Sequence, residues 1–364
     1  MTENSPPANH GGKVWQLSRK NKVPVSEILD FSANINDFVP ETDFHAIFQK
    51  ENIANYPDTD LDYYTGIISD YAGTPLRNIL LGPGLTYFIY RLAEMFRNTS
   101  VLIFEPSFTE YKRAFQVNNC TVDECKIEEL SDRLNDVADG KYRFVVITRP
   151  DNPLGNAIER DLIHSLAGKA ESSGTKVFID EAFLDFMGRE EIQLSASLVR
   201  EYRNVILGRS LTKFLSIPAL RLGYIMSDGE LIETMKSKLE PWSVNQPALV
   251  FLSNVDFQQT SATICRVAEE RKFLVSNLEN YGFVPVGNPK ANFVTFKLPD
   301  SVVPEGLDCY LQSKNILVRF LGDHPLLGSG YVRLAVKKRD KTDKLLKCLD
   351  DYFSSSINNI LDGV

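Results

Sequence analysis

The chain has 364 residues, with 40 Lys plus Arg against 48 Asp plus Glu and a formal charge of −8. Apolar residues make up 43% and charged residues 24%, which excludes a chain disordered throughout. The acidic balance gives no electrostatic reason for a nucleic-acid partner, and no apolar run approaches the roughly 20 residues that span a bilayer.

A single core stops growing at roughly 250–300 residues, so two domains are expected. The opening segment lacks the basic and apolar stretches of a secretory signal, and a cytoplasmic location is expected. Cys120, Cys125, Cys265, Cys309 and Cys348 are odd in number and scattered. They read as reduced thiols. Four histidines stand in no ligand spacing, so no metal site is expected.

In chain order, a strand over 78–81 leads into Gly82-Pro83-Gly84 and a helix to 97. A strand over 101–104 ends at Glu105-Pro106, and one over 144–148 ends at Arg149-Pro150-Asp151-Asn152-Pro153. After a helix over 158–172, strands follow over 176–179, 204–207 and 222–226. Their ends carry Asp180-Glu181 and Gly208-Arg209-Ser210. These runs are apolar on both faces, the pattern of a parallel sheet between helices. Ligands in such sheets bind beyond the carboxyl ends of the strands. From about 245 the pattern changes to a long helix over 247–281 and strands over 292–296, 316–319 and 331–335, an α+β arrangement. Trp15 and Trp242 read as packing residues, and His45 and His164 as surface or satisfied core residues. Lys337-Lys338-Arg339 reads as a solvated helix entrance.

Four strand-end segments carry possible chemistry. Lys213, in Ser210-Leu211-Thr212-Lys213-Phe214, has the nucleophile for a Schiff base. Ser210 and Arg221 beside it suit a phosphate. Read alone, this is more simply a surface loop with a solvated lysine. Asp180 after an apolar strand suits a protonated ring nitrogen, or else a helix N-cap. Asn152, before Pro153, suits a phenolate oxygen, or else a turn. Gly84-Leu85-Thr86 opens a helix whose N–H groups favour an anion, although glycine turns commonly precede helices.

Together, with Arg221 following Lys213 in Ile217-Pro218-Ala219-Leu220-Arg221-Leu222-Gly223-Tyr224, the chain resembles the fold-type-I pyridoxal-phosphate enzymes of the class I/II aminotransferase superfamily. The resemblance runs over nearly the whole chain and lies in the histidinol-phosphate aminotransferase branch. His10-Gly11-Gly12, Asp30-Phe31-Ser32-Ala33-Asn34-Ile35-Asn36, Asn55-Tyr56-Pro57-Asp58 and Asp180-Glu181-Ala182-Phe183 are similar to the threonine-phosphate decarboxylases of cobalamin biosynthesis.

The resemblance implies an α/β fold. A large domain would have a mainly parallel seven-stranded sheet over 46–244, with a smaller α+β domain over 245–364. An arm over 1–45 would pack with the small domain. It implies pyridoxal 5′-phosphate as cofactor, with Lys213 as its covalent attachment point and Asp180 on the pyridine nitrogen. Asn152 would meet the ring oxygen. Ser210, Arg221, Gly84, Leu85 and Thr86 would hold the phosphate, and Phe108, or Tyr111 in its place, would stack on the ring. Tyr56 would reach the neighbouring subunit's cofactor in a homodimer. His10, Asn34, Asn152, Arg319 and Arg333 would bind a phosphorylated amino acid, Arg333 taking its carboxylate. Phe183 replaces the branch's tyrosine, Arg149 stands where a small polar residue is usual, and the glycine turn lacks a following acid. The implied reaction is decarboxylation of L-threonine O-3-phosphate or L-serine O-phosphate. The alternatives are a histidinol-phosphate-type aminotransferase and, from another class, a non-catalytic pyridoxal-phosphate-binding protein.

Overall fold

Strands without polar alternation bury both faces only when helices cover the sheet from either side. The computed structural model describes residues 11–39, 44–257, 260–324 and 326–361. Its contacts divide the chain into two units. The first comprises the described residues within Val39–Asn152 and Asn156–Ile264; the second comprises those within Pro6–Phe38, Pro153–Gly155 and Cys265–Val364.

Strand β1 (Leu29–Asp30) belongs to the second unit. The first unit carries β2 (Ile79–Gly82), β3 (Ser100–Glu105), β4 (Thr121–Lys126), β5 (Phe144–Thr148), β6 (Lys176–Asp180), β7 (Val205–Ser210) and β8 (Gly223–Met226). They form one seven-stranded sheet in the order β2-β8-β7-β6-β5-β3-β4. Strand β8 runs antiparallel to both neighbours, and the remaining pairs are parallel. Every residue of β2, β5, β7 and β8 is buried, whereas the edge strand β4 is largely exposed. Helices Leu85–Met95, Glu110–Val117, Leu130–Ala138, Arg160–Ser173 and Arg189–Glu201 make the connections that parallel strands require.

The second unit adds β9 (Val284–Val286), β10 (Phe293–Lys297), β11 (Ile316–Leu317), β12 (Arg319–Phe320) and β13 (Tyr331–Ala335). An antiparallel sheet runs β12-β13-β10-β9, while β11 pairs in parallel with β1. The strand expected over 316–319 is therefore two strands in two sheets, separated at Val318. The helix expected over 247–281 is also two, Gln246–Asn254 and Thr260–Glu279. The first ends where Val255 turns extended. It packs on helices Phe44–Ile47, Lys50–Ala54 and Leu61–Ala72 of the first unit, so the division falls at 264/265 rather than 244/245.

Two surface readings are corrected. Trp15 is 67% exposed, not packed. Lys337 is buried, not solvated, and its ammonium donates to the Ile35 carbonyl at 3.2 Å. The apolar face of the preceding strand carries Lys337 inward, and the polar atoms of the 35–37 segment receive it. All five cysteines are free thiols. Among the described residues, no helix is long and apolar enough to cross a membrane.

Phe144 is fully buried, and its ring centroid lies 4.8 Å from that of Phe96, 5.0 Å from Phe115 and 6.5 Å from Phe178. Such rings pack to crystal-like density, so their loss leaves a cavity. Phe144→Ala should cost about 3–5 kcal/mol, read as a lowered urea midpoint at unchanged slope.

Candidate active site

Register assembles the site. Gly82 opposes Gly223 across β2 and β8, and Gly223 opposes Ser210 across β8 and β7. Asp180 opposes Gly208 on one side and Thr148 on the other. The carboxyl ends of β2, β5, β6 and β7 thus share one sheet edge, where ligands bind in open α/β sheets. A Cβ at Gly223 would lie 2.8 Å from the Arg209 carbonyl oxygen and 2.9 Å from the Leu85 nitrogen, so only glycine lets the turn come this close.

At one end of this edge lies an anion cradle. Gly84 has φ +87°, and a Cβ there would stand 2.8 Å from Nη2 of Arg221. The Arg221 guanidinium therefore lies over the start of helix Leu85–Met95, where Leu85 and Thr86 present their amides. Arg221 also donates to the Pro218 carbonyl at 3.1 Å. The buried Ser210 hydroxyl shares a 2.8 Å hydrogen bond with Thr212. A forked cation, free helix amides and hydroxyls form a donor set suited to a phosphate.

Asp180 ends β6 at 8% exposure. One oxygen accepts from the Ala182 N–H at 2.7 Å, and the other accepts from the Tyr111 hydroxyl. Burial raises the carboxyl above its ordinary range, while Tyr111, the Ala182 N–H and the Lys213 charge pull it down. Lys213 sits on the short helix Leu211–Phe214, its ammonium 5.7 Å from the Phe183 ring centroid. Tyr111 is fully buried. Phe108 is half-buried and meets Tyr111 edge-on at 6.0 Å. Asn152 is half-buried in a loop closed by the Asp151 N–H donating to the Asn156 carbonyl at 2.8 Å.

Behind this edge lies an ion pair that the sequence reading missed. Arg209 and Glu181 are 2.6 Å apart at 0% and 1% exposure. Ser195 donates to Glu181, Arg209 also donates to the Ile192 carbonyl at 3.2 Å, and Tyr71 donates to the neighbouring Asp185 at 2.5 Å. The signal was present: an arginine in a run apolar on both faces needs a buried partner. Arg149 forms a second buried anchor. Its guanidinium bonds Glu191 at 2.8 Å and the Ile158 carbonyl at 3.0 Å, anchoring the loop that carries Asn152.

Tyr56 is 78% exposed and stacks on Trp242, centroids 4.6 Å apart. Trp242 is itself 48% exposed, which corrects its reading as a packing residue. The second unit holds Asn34, Arg319 and Arg333. Asn34 is buried. Arg333 is buried and donates to the Ser32 carbonyl at 2.8 Å. Burial and then Arg319 push its guanidinium down to about 9. Arg319 pairs with Asp323 at 2.8 Å. His10 lies outside the described residues.

The raised carboxyl of Asp180 has a thermodynamic sign. Such a shift favours the fold below the unfolded value and loses that advantage as pH rises through the folded one. Ionised Asp180 therefore opposes the stability of the ligand-free protein at neutral pH. Asp180→Asn should melt at the same or a higher temperature than the parent at neutral pH. The advantage should shrink on acidification, as thermal melts across pH will read.

An amine for an aldehyde, a carboxylate for a heterocyclic nitrogen and a cradle for a phosphate fit a phosphorylated pyridine aldehyde. Comparison with known proteins agrees. The threonine-phosphate decarboxylase of Salmonella typhimurium is 28% identical over 98% of this chain and 97% of its own. Histidinol-phosphate aminotransferase 2 of Archaeoglobus fulgidus is 26% identical over 90% of this chain and 93% of its own. The histidinol-phosphate aminotransferase of Sinorhizobium meliloti, solved with pyridoxal-5′-phosphate, shares the fold at TM-score 0.82 and 18% identity, covering 98% of each chain. The profile of the family described as aminotransferase class I and II matches residues 26–349. The chain belongs to that family, whose cofactor is pyridoxal 5′-phosphate.

Proposed function

We propose that the protein decarboxylates L-threonine O-3-phosphate, or its analogue L-serine O-phosphate, to an amino-alcohol phosphate for the cobalamin nucleotide loop. The likeness to the Salmonella threonine-phosphate decarboxylase over nearly all of both chains carries this reading. Arg319 and Arg333 on adjacent strands support a substrate with two anionic groups.

In this reading, Lys213 would hold the cofactor, and its amine would accept or return a proton at the substrate's Cα. Asp180 keeps the pyridine nitrogen protonated. Asn152 meets the ring oxygen, and Ser210, Arg221 and the Gly84–Thr86 amides hold the phosphate. The hydrogen bond from the Tyr111 hydroxyl to Asp180 supports Phe108 as the ring that stacks. When bound, the cofactor supplies an electron sink for the pair left at Cα. Arg333 on the carboxylate, with His10, Asn34 and Arg319 on the remainder, would set the orientation of the substrate's Cα substituents. That orientation would decide whether carboxylate or hydrogen is lost. The exposed Tyr56–Trp242 stack supports a homodimer in which Tyr56 serves the neighbouring copy.

A histidinol-phosphate-type aminotransferase is the second reading, favoured by the Archaeoglobus relative. Incubation with each phosphorylated amino acid, quantifying CO2 and amine, separates the two. The proposal expects CO2 and amine in equal amounts without 2-oxoglutarate; amino transfer to 2-oxoglutarate without CO2 would defeat it. One substrate methyl is worth about 1–3 kcal/mol, so the two substrates should differ by roughly 10–200-fold at most. Lys213→Ala should lower turnover by about 10²–10⁴-fold or more. Borohydride should tag the parent at Lys213 and leave the variant unlabelled. Turnover of either substrate also excludes a non-catalytic role.

A further inference from the structure

We infer that His324 joins Arg319 in gripping the phosphoryl group of the substrate, leaving Arg333 for the carboxylate; this rests on the phosphorylated substrate proposed above. The argument begins with an electrostatic conflict. Arg319 and Arg333 stand directly opposite each other on the antiparallel strands β12 and β13. Like charges in that position repel. Asp323 pairs with Arg319, and the Asp30 charge bears on Arg333. A bound dianion relieves the repulsion.

His324 sits at the end of the turn that leaves β12, its N–H donating to the Leu321 carbonyl at 2.8 Å. It is 7% exposed. Its Nδ1 accepts from the Leu326 N–H at 3.3 Å, which places the proton of the neutral ring on Nε2. That Nε2 is buried and has no hydrogen-bond partner. A buried donor left unpaired is costly, and native proteins seldom keep one without a purpose.

The charged groups bearing on the ring are Arg319, Asp323 and Arg333, and with burial they hold the imidazole below its ordinary range. His324 thus offers a hydrogen-bond donor without adding a third positive charge beside the two arginines. Arg319 already spends donors on Asp323 and on the Phe320 carbonyl at 2.7 Å. Alone it meets few of the three acceptor oxygens of a phosphoryl group, and His324 supplies a further donor.

The test uses the holoenzyme and two replacements. His324→Met fills the space without a donor; His324→Gln restores an amide N–H near the position of Nε2. His324→Met should raise KM for L-threonine O-3-phosphate, and the inhibition constant of inorganic phosphate, by about tenfold or more. Binding of unphosphorylated L-threonine should be unchanged, and His324→Gln should recover most of the loss. In the unaltered enzyme, the imidazole resonances of His324, assigned by replacing the other three histidines singly, should shift with added phosphate and saturate at its inhibition constant. The inference is overturned if phosphate does not bind, if it binds His324→Met as tightly as the parent, or if it inhibits while the His324 resonances stay fixed. Phosphate that moves those resonances in an enzyme that decarboxylates neither amino acid upholds the role of His324 and overturns only the reaction proposed above.

Discussion

A carboxylate buried at the end of β6 must remain an anion if it is to hold a pyridinium. An isolated buried charge costs several kcal/mol in a folded protein. Three contacts offset that cost at Asp180, each from a different piece of chain. Tyr111 comes from helix Glu110–Val117, the Ala182 N–H from the turn after β6, and Lys213 from the helix after β7. Tyr111 is held far above its ordinary range by burial and by Asp180 itself, so it stays a hydroxyl donor. The site is poised: donors in place, desolvation already spent, and the remaining imbalance left for a cationic ligand to correct.

The neighbours of the site residues are as constrained as the residues themselves. Glu181 follows Asp180 and Arg209 precedes Ser210, and these two form a buried ion pair between adjacent strand ends. Removing one partner of such a pair strands the other charge, which is why the arrangement resists drift. The pair ties the strand that ends in Asp180 to the strand that ends in Ser210. Arg149 and Glu191 do the same for the Asn152 loop. Ion pairs behind the sheet edge thus fix the spacing of the groups in front of it.

Legibility in the sequence followed the range of the forces involved. The strands Phe144–Thr148 and Tyr331–Ala335 were readable to the residue, because an apolar run bounded by turn residues is a local signal. The break at Val318 and the gap between helices Gln246–Asn254 and Thr260–Glu279 were not, since apolar patterning continues across both. The strand-end loops bearing Gly84, Asn152, Asp180 and Lys213 were visible as motifs. The assignment of Tyr111 to Asp180 was not, because an aromatic's hydroxyl partner is chosen by tertiary contact. Lys337 and His324 were misread or passed over for one reason: a single polar residue carries no periodic signal of its own burial.

Val318 is the only residue between two strands that serve different sheets. Upstream, β11 is paired with β1, and the Phe31 N–H donates to the Leu317 carbonyl at 2.8 Å. Downstream, β12 begins with Arg319, while Arg333 rests on the Ser32 carbonyl. Strand β1, the earliest among the described residues, is therefore a splint for both arginines. Displacing β1 would therefore shift both guanidinium groups through the backbone alone, with neither side chain altered.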